Sequence, residues 1–287
     1  MTQTGSNSVT VIDPKTKTVK ATIKVGTAPR GLGSSIDGSH VIVTNAGDNT
    51  VSIIDTNTNA VIGTHSIGAG PIIAAPNPNG SVVYVDDYTG NTVATINPAT
   101  GVVGPALIAG NTPFGLAVSP DGSTLYVANA FDNDVMVVDA ASLIVKTTVN
   151  VGSEPGAMAI SPSGATLYVT NASGNSVSVV NTATDAVTAT IPVGSDPFSI
   201  VVLPNGNAVY VGNYLDLTVS VINPATNAVI KTFGLGNGNS AFTLAASADS
   251  STVFAVTTGL TIINTATNTV SATVPIAGDP EGAVVIP

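Results

Sequence analysis

The sequence lacks cysteine and tryptophan altogether, and only 8% of its 287 residues are charged, against roughly 25% in an ordinary domain. Without cysteine there is no disulfide framework, no thiolate nucleophile and no thiolate zinc site. The two histidines, His40 and His65, have no third ligand near them in the repeat described below, which argues against an imidazole metal site or a Ser-His-Asp triad. Basic residues are scarce as well: 7 Lys and Arg face 17 Asp and Glu, a formal charge of −10 that opposes binding to a polyanion. No apolar run reaches the roughly 20 residues a membrane helix needs. No window carries a capped 3.6-residue pattern, so essentially no helix is expected. Phosphate-loop, G-x-S-x-G and H-E-x-x-H motifs are absent. The Gly-rich run Gly234–Gly238 leads into a strand and reads as a loop.

What is present is a repeat. A proline recurs at Pro29, Pro71, Pro113, Pro155 and Pro197, always 42 residues apart, and the series continues at Ala241 and Pro280. The last two steps, 44 and 39 residues, reflect an insertion around Asn237–Ser240 and a deletion near Gly259. Within the copy Asn111–Gly152, four short segments rich in Val, Ile, Thr and Tyr are separated by Gly, Pro, Asn or Asp. That is strand–turn–strand four times over. Asp37-Gly38, Asn79-Gly80, Asp121-Gly122 and Asn205-Gly206 sit between the first two segments and supply the positive φ of tight hairpins. Four antiparallel strands every ~40 residues is the pattern of a β-propeller blade. Blades pack on both faces, so their strands can be apolar throughout, which accounts for 44% apolar residues with so little charge.

Six copies are complete: 27–68, 69–110, 111–152, 153–194, 195–236 and 237–277. Residues 1–26 match the end of a blade and 278–287 its first strand, so both termini are expected to build a seventh, composite blade of one all-β domain spanning 1–287. Met1-Thr2-Gln3 overlay only the tail of that blade's second strand, which predicts a short strand or a piece cut from a longer chain.

Tyr168-Val169-Thr170-Asn171, with relatives at Ile42–Asn45, Tyr126–Asn129 and Tyr210–Asn213, resembles the motif of the YVTN β-propeller repeat family. Ser119-Pro120-Asp121-Gly122 and Asn181–Thr184 are also similar to that family's consensus. Two copies depart, with Asp86-Asp87 in place of Thr-Asn and Phe254–Thr257 in the last copy. The resemblance implies a seven-bladed propeller of bacterial periplasmic, secreted or surface proteins and archaeal surface layers. It fixes no single activity. Met1–Ser8 is polar and has no leader-like apolar core, so a leader is expected to lie outside this segment. The Ser-Pro-Asp-Gly and Tyr-Val-Ala-Asn runs also resemble lactonase-type propellers, which implies an enzymatic alternative.

Strand direction sorts the loops by face. Those between strands two and three, and those between one blade's fourth strand and the next blade's first, share the top. Ten of the 17 acids fall there, among them Asp86, Asp87, Asp132, Glu154, Asp196, Asp279 and Glu281. Acids around a central mouth focus negative potential and suit a cation, with Ca²⁺ as one candidate and loop solvation as the plainer account. Tyr88, Phe131 and Tyr214 lie in or beside the same loops and read as a rim for a ligand. Phe114, Phe198 and Phe242 follow the motif proline position on the same face and are expected to wedge between blades, with a place in the ligand rim as the alternative; Tyr84, Tyr126, Tyr168 and Tyr210 are expected in the inter-blade core. Lys15, Lys17, Lys20 and Lys24 cluster in the N-terminal half blade, where lysines guard a sheet edge.

The expectation is a monomeric, non-enzymatic binding scaffold, extracellular, surface or periplasmic. Its top face would engage a protein, glycan or small ligand, with no cofactor, no nucleic acid and no transmembrane segment. The alternative is a lactonase-like hydrolase or lyase at the central mouth, using Arg30 or a carboxylate-held metal.

Overall fold

Each repeat folds as its turn chemistry directs. In the third blade the strands Pro113–Val118, Thr124–Asn129, Asp134–Asp139 and Ile144–Asn150 pair antiparallel in that order. Gly122 takes φ +74° in the first turn, and Asp121 Oδ1 accepts hydrogen bonds from Ser119 Oγ (2.6 Å) and Ser123 N (3.0 Å), closing an Asx-type turn. Asp139 Oδ1 accepts from Ser142 N (3.0 Å) in the last turn. The two middle strands are buried along almost their whole length, whereas six of the seven residues of the outer strand are exposed. This gradient is what a blade sandwiched between two neighbours requires, and it explains why the middle strands are apolar without alternation.

The computed structural model, which describes residues 1–236 and 239–286, contains six such four-stranded sheets and a seventh sheet of Thr2–Gln3, Ser8–Asp13 and Thr18–Lys24. The C-terminal segment completes the seventh: Pro280 pairs antiparallel with Gln3, and Thr2 N donates to Gly282 O (2.9 Å). The fold is therefore an all-β, seven-bladed propeller of four-stranded antiparallel blades. Its one helical element among the described residues is a 3₁₀ turn, Thr4–Ser6. No described helix is long and apolar enough to cross a membrane. The insertion read at Asn237–Ser240 starts with two residues, Asn237 and Gly238, that lie outside the described residues, as does Pro287.

Neighbouring blades are locked together near the axis and in the packed layers between sheets. Thr44 Oγ1 accepts from Gly31 N (2.8 Å) and donates to Ile72 O of the next blade (2.8 Å). Thr2 repeats this in the closing blade, accepting from Gly282 N (2.7 Å) and donating to Arg30 O (2.7 Å), so Met1-Thr2-Gln3 stands where Val43-Thr44-Asn45 stands. A methyl group on Gly115 would overlap the Gly156 carbonyl oxygen, which is why this inner-strand position takes no side chain. Tyr84, Tyr126, Tyr168 and Tyr210 are all buried between blades, and the Tyr84 hydroxyl donates to Ala140 O (2.7 Å) of the next blade. Because the closing blade's second strand is short, an apolar cavity of about 240 Å³ remains there, lined by Met1, Ile12, Val41 and Phe254 among others.

Candidate functional site at the top-face mouth

Two local devices aim side chains at the mouth. The first is a left-handed residue just before the motif proline, with φ between +49° and +58° at Ala28, Thr112, Glu154, Asp196 and Asp279. A non-glycine residue there is strained unless held. At the first four the hold is an asparagine 21 residues earlier: Asn7 Oδ1 accepts from Ala28 N (2.9 Å), Asn91 Oδ1 from Thr112 N (2.9 Å), Asn133 Oδ1 from Glu154 N (2.9 Å) and Asn175 Oδ1 from Asp196 N (3.0 Å). The second device is a β-bulge. The ladder skips a residue between Pro113 and Gly115 and between Pro197 and Ser199, leaving Phe114 and Phe198 unpaired in register. Bulges re-aim side chains, and both rings line the mouth.

The mouth is a funnel of about 450 Å³ to which each blade contributes: Arg30, Ile72, Phe114, Ala157, Phe198, Phe242 and Glu281 all line it. Five rings run around one side in a continuous arc. Successive centroids are 5.8 Å apart for Tyr88–Phe114, 5.6 Å for Phe114–Phe198, 5.7 Å for Phe198–Tyr214 and 5.4 Å for Tyr214–Phe242. The interplanar angles, 46° to 73°, are the tilted and edge-to-face packings that aromatic quadrupoles favour. Phe114 and Phe198 meet across the fourth blade, whose corresponding residue is the small segment Gly156-Ala157. The three phenylalanines are thus half-buried walls of the mouth that also touch across blades: Phe114 lies against Gly156 of the next blade and packs on Tyr88 of the preceding one, and Phe242 packs on Tyr214 of the preceding blade. On the remaining part of the ring, Arg30 Nη1 pairs with Glu281 Oε2 at 2.6 Å.

A second cavity of about 330 Å³ opens beside the funnel and shares Phe114, Ala157, Asp196 and Phe198 with it. Tyr88, Phe131 and Glu154 also line it. Glu154 Oε2 accepts from Ser173 Oγ. Burial, and then the neighbouring Glu154 charge, hold the Asp196 carboxyl above the usual carboxylate range.

Of the residues marked from the sequence, the fold brings six to these cavities: Tyr88, Phe131, Glu154, Asp196, Tyr214 and Glu281. The other four line neither cavity. Asp86 is fully buried; its Oδ1 accepts from Ile72 N (2.8 Å) and Ile73 N (2.6 Å), and its Oδ2 is buried without a partner. Burial pushes the Asp86 carboxyl up to about 7, with the Asp87 charge adding and the two N–H groups opposing. Asp87 is also buried, taking the place of the motif asparagine and accepting from Gly90 N (2.7 Å) and Thr92 Oγ1 (3.3 Å). Asp132 Oδ2 accepts from Asn111 N (2.6 Å), a loop contact repeated by Asp48 with Thr27 N and Asp216 with Ser195 N. Asp279 is exposed, and its carbonyl accepts from Thr4 N (3.1 Å). Among the described residues no three His, Asp or Glu side chains converge as a metal site would require.

The chemistry available at the mouth is accordingly narrow. Ser199 Oγ donates to Ala241 O (3.1 Å) and Thr243 Oγ1 to Glu281 O (2.8 Å), so these two funnel hydroxyls serve blade joints rather than a general base. The polar pair with acid–base capacity is Arg30–Glu281. The sequence placed the phenylalanines at this face and favoured a wedge over a rim; that they join into one arc with Tyr88 and Tyr214 depends on contacts between blades.

Comparison with known proteins agrees with this architecture. A family described as a seven-bladed β-propeller lactonase matches residues 106–188. No curated protein sequence matches the chain. Among solved structures, the chain is similar to the hydrazine synthase of Kuenenia stuttgartiensis, with 20% identity over 90% of each chain and a TM-score of 0.81. It is also similar to a functionally unknown protein of Desulfotomaculum acetoxidans DSM 771, with 17% identity over 98% of this chain and 96% of that one and a TM-score of 0.87. At these identities the likeness is one of fold.

Proposed function

We propose that the protein is a binding scaffold of the YVTN type, extracellular, surface or periplasmic, that captures a ligand in the top-face mouth. The observation that carries this reading is the aromatic arc from Tyr88 to Phe242. Five of the chain's 12 Phe and Tyr join in this arc, and four of them, Phe114, Phe198, Tyr214 and Phe242, line the funnel. A concave, mostly apolar cavity with a few convergent polar groups is the form that small-ligand sites take. The test is a thermal-shift screen of a fragment library against the wild type and a Phe198→Ala/Tyr214→Ala variant. Fragments that stabilise the wild type by several degrees and leave the variant unmoved support the reading. A screen in which every stabilising fragment acts equally on both sinks it.

The match of residues 106–188 to the lactonase family favours a second reading, hydrolysis at the same mouth. Glu281 would take a proton from water, the water oxygen would bond to a lactone carbonyl carbon, and the ring C–O bond would break as its oxygen regained a proton. Arg30 would hold the developing oxyanion. Ring opening of five- and six-membered lactones followed by pH-stat, lost in Glu281→Gln, would support it. Hydrolysis indistinguishable between wild type and Glu281→Gln would remove it.

A further inference from the structure

The side cavity carries charges that nothing on the protein neutralises. Three ion pairs occur among the described residues, Lys20–Asp13, Arg30–Glu281 and Lys146–Asp139, and neither Glu154 nor Asp196 belongs to one. The Asp196 carboxyl responds to burial and to Glu154 alone; no basic side chain pulls it back down. Two like charges therefore share the wall of one cavity of about 330 Å³. Opposing them are rings rather than water-like ligands: Phe114 and Phe198, at 5.6 Å, with Tyr88 and Phe131. Phe131, 61% exposed, leaves its ring accessible at the edge of this cavity.

This combination selects among ligands. An anion meets two carboxylates. A small hard metal ion needs several oxygen ligands, and no three candidate ligand groups converge among the described residues. An organic cation fits both halves of the site. Its charge is answered by the carboxylates, and its weakly hydrated alkyl surface is attracted to aromatic faces by the ring quadrupole. We propose that the cavity formed by Tyr88, Phe114, Phe131 and Phe198 with Glu154 and Asp196 is a binding site for an alkylammonium group. The proposal rests on the reading of the mouth as a ligand site and names the class of ligand that enters it. The shared residues, Phe114, Ala157, Asp196 and Phe198, let a ligand seated there extend its uncharged remainder into the funnel.

The experiment compares choline with 3,3-dimethylbutan-1-ol, a neutral molecule of the same shape, by titration calorimetry and by NMR of the wild type and a Glu154→Gln/Asp196→Asn variant. The expected result is that choline binds at least about tenfold tighter than the alcohol, and that the preference disappears in the variant while circular dichroism is unchanged. Choline affinity is also expected to strengthen as pH rises and Asp196 ionises, and to weaken with added salt. Equal binding of the two probes, or no binding of choline at millimolar concentration, overturns the assignment. These outcomes are separate from those of the fragment screen. Neutral fragments that depend on Phe198 and Tyr214, with choline silent, would leave the mouth a binding site and remove the cation from it.

Discussion

Replacing Asp86 by asparagine takes away a charge that the fold holds out of water. Asp86 stands where Thr44 and Thr170 stand in other blades. Its Oδ1 accepts the Ile72 and Ile73 N–H groups, and an asparagine oxygen can accept both just as well. Its Oδ2 has no partner. In the first blade the Thr44 hydroxyl donates to the Ile72 carbonyl of the next blade; by the repeat, the equivalent acceptor for residue 86 is the Phe114 carbonyl, which an asparagine amide is expected to reach. The carboxyl titrates near 3.8 in the unfolded chain and at about 7 in the folded one, so the folded state holds the extra proton between these values. The wild type therefore loses stability as pH rises through this window, by 1.36 kcal/mol per unit and about 4 kcal/mol in all. The Asp86→Asn variant has no such titration. Urea unfolding of both proteins at about pH 4.5, 6 and 8 isolates the effect, because titrating groups that do not interact with Asp86 cancel in the difference and its neighbour Asp87 adds to the same trend. The variant is expected to gain on the wild type steadily up to about pH 7 and then to run parallel. A difference that stays constant across the range would refute the claim that the carboxylate is buried unpaired.

Further consequences are equally direct. Asn171 is buried, donates to Ser176 Oγ and Ser178 Oγ (3.0 Å each) and accepts from Gly152 N (3.0 Å); Asn171→Ala strands those partners and is expected to cost about 2–4 kcal/mol in urea unfolding, with a loss under about 1 kcal/mol counting against it. Gly115→Ala drives a methyl group into the Gly156 carbonyl oxygen and is expected to lower the melting temperature by more than about 10 °C, roughly the effect of 3 kcal/mol or more on a chain of this size; a near-unchanged melting curve would refute backbone-to-backbone packing at the axis. Hydrogen bonds from Ser35, Ser119 and Ser247 and from the serine on the far side of each turn hold Asp37, Asp121 and Asp249 at about 2. These turns support the fold above about pH 4 and lose that support as pH falls toward 2, so a triple Asp→Asn variant is expected to unfold with a shallower acid transition; an identical acid transition would show that the turns contribute nothing.

How far the residues alone carry the reading depends on the range of the interaction that decides each feature. Strand boundaries are set within four or five residues, by pairs such as Asp121-Gly122 and by the Asn181–Thr184 turn, and those chemistries recur every 42 residues, so the blades and their number could be read directly. The closing blade was legible for the same reason, since Thr2 and Gln3 keep the spacing of Thr44 and Asn45. The mouth obeys a different rule. Phe114 lines the funnel at a one-residue slip between two strands, at Pro113 and Gly115, and no local residue announces that slip. Its partner Phe198 lies 84 residues away, and they meet only because the intervening blade presents Gly156 and Ala157.

The acids divide along the same line. Asp48, Asp132 and Asp216 recur 84 residues apart and each ties down a loop N–H, so periodic spacing marks them as parts of the frame. Glu154 and Asp196 share the left-handed backbone of Thr112 and Ala28 but not their side chains; the frame needs the conformation there and leaves the side chain free. In a repeat protein the positions where the backbone keeps its shape and the residue type varies from blade to blade are the ones released for recognition. At Glu154 and Asp196 that freedom has produced two carboxylates beside aromatic walls, the arrangement that the proposed alkylammonium ligand would neutralise.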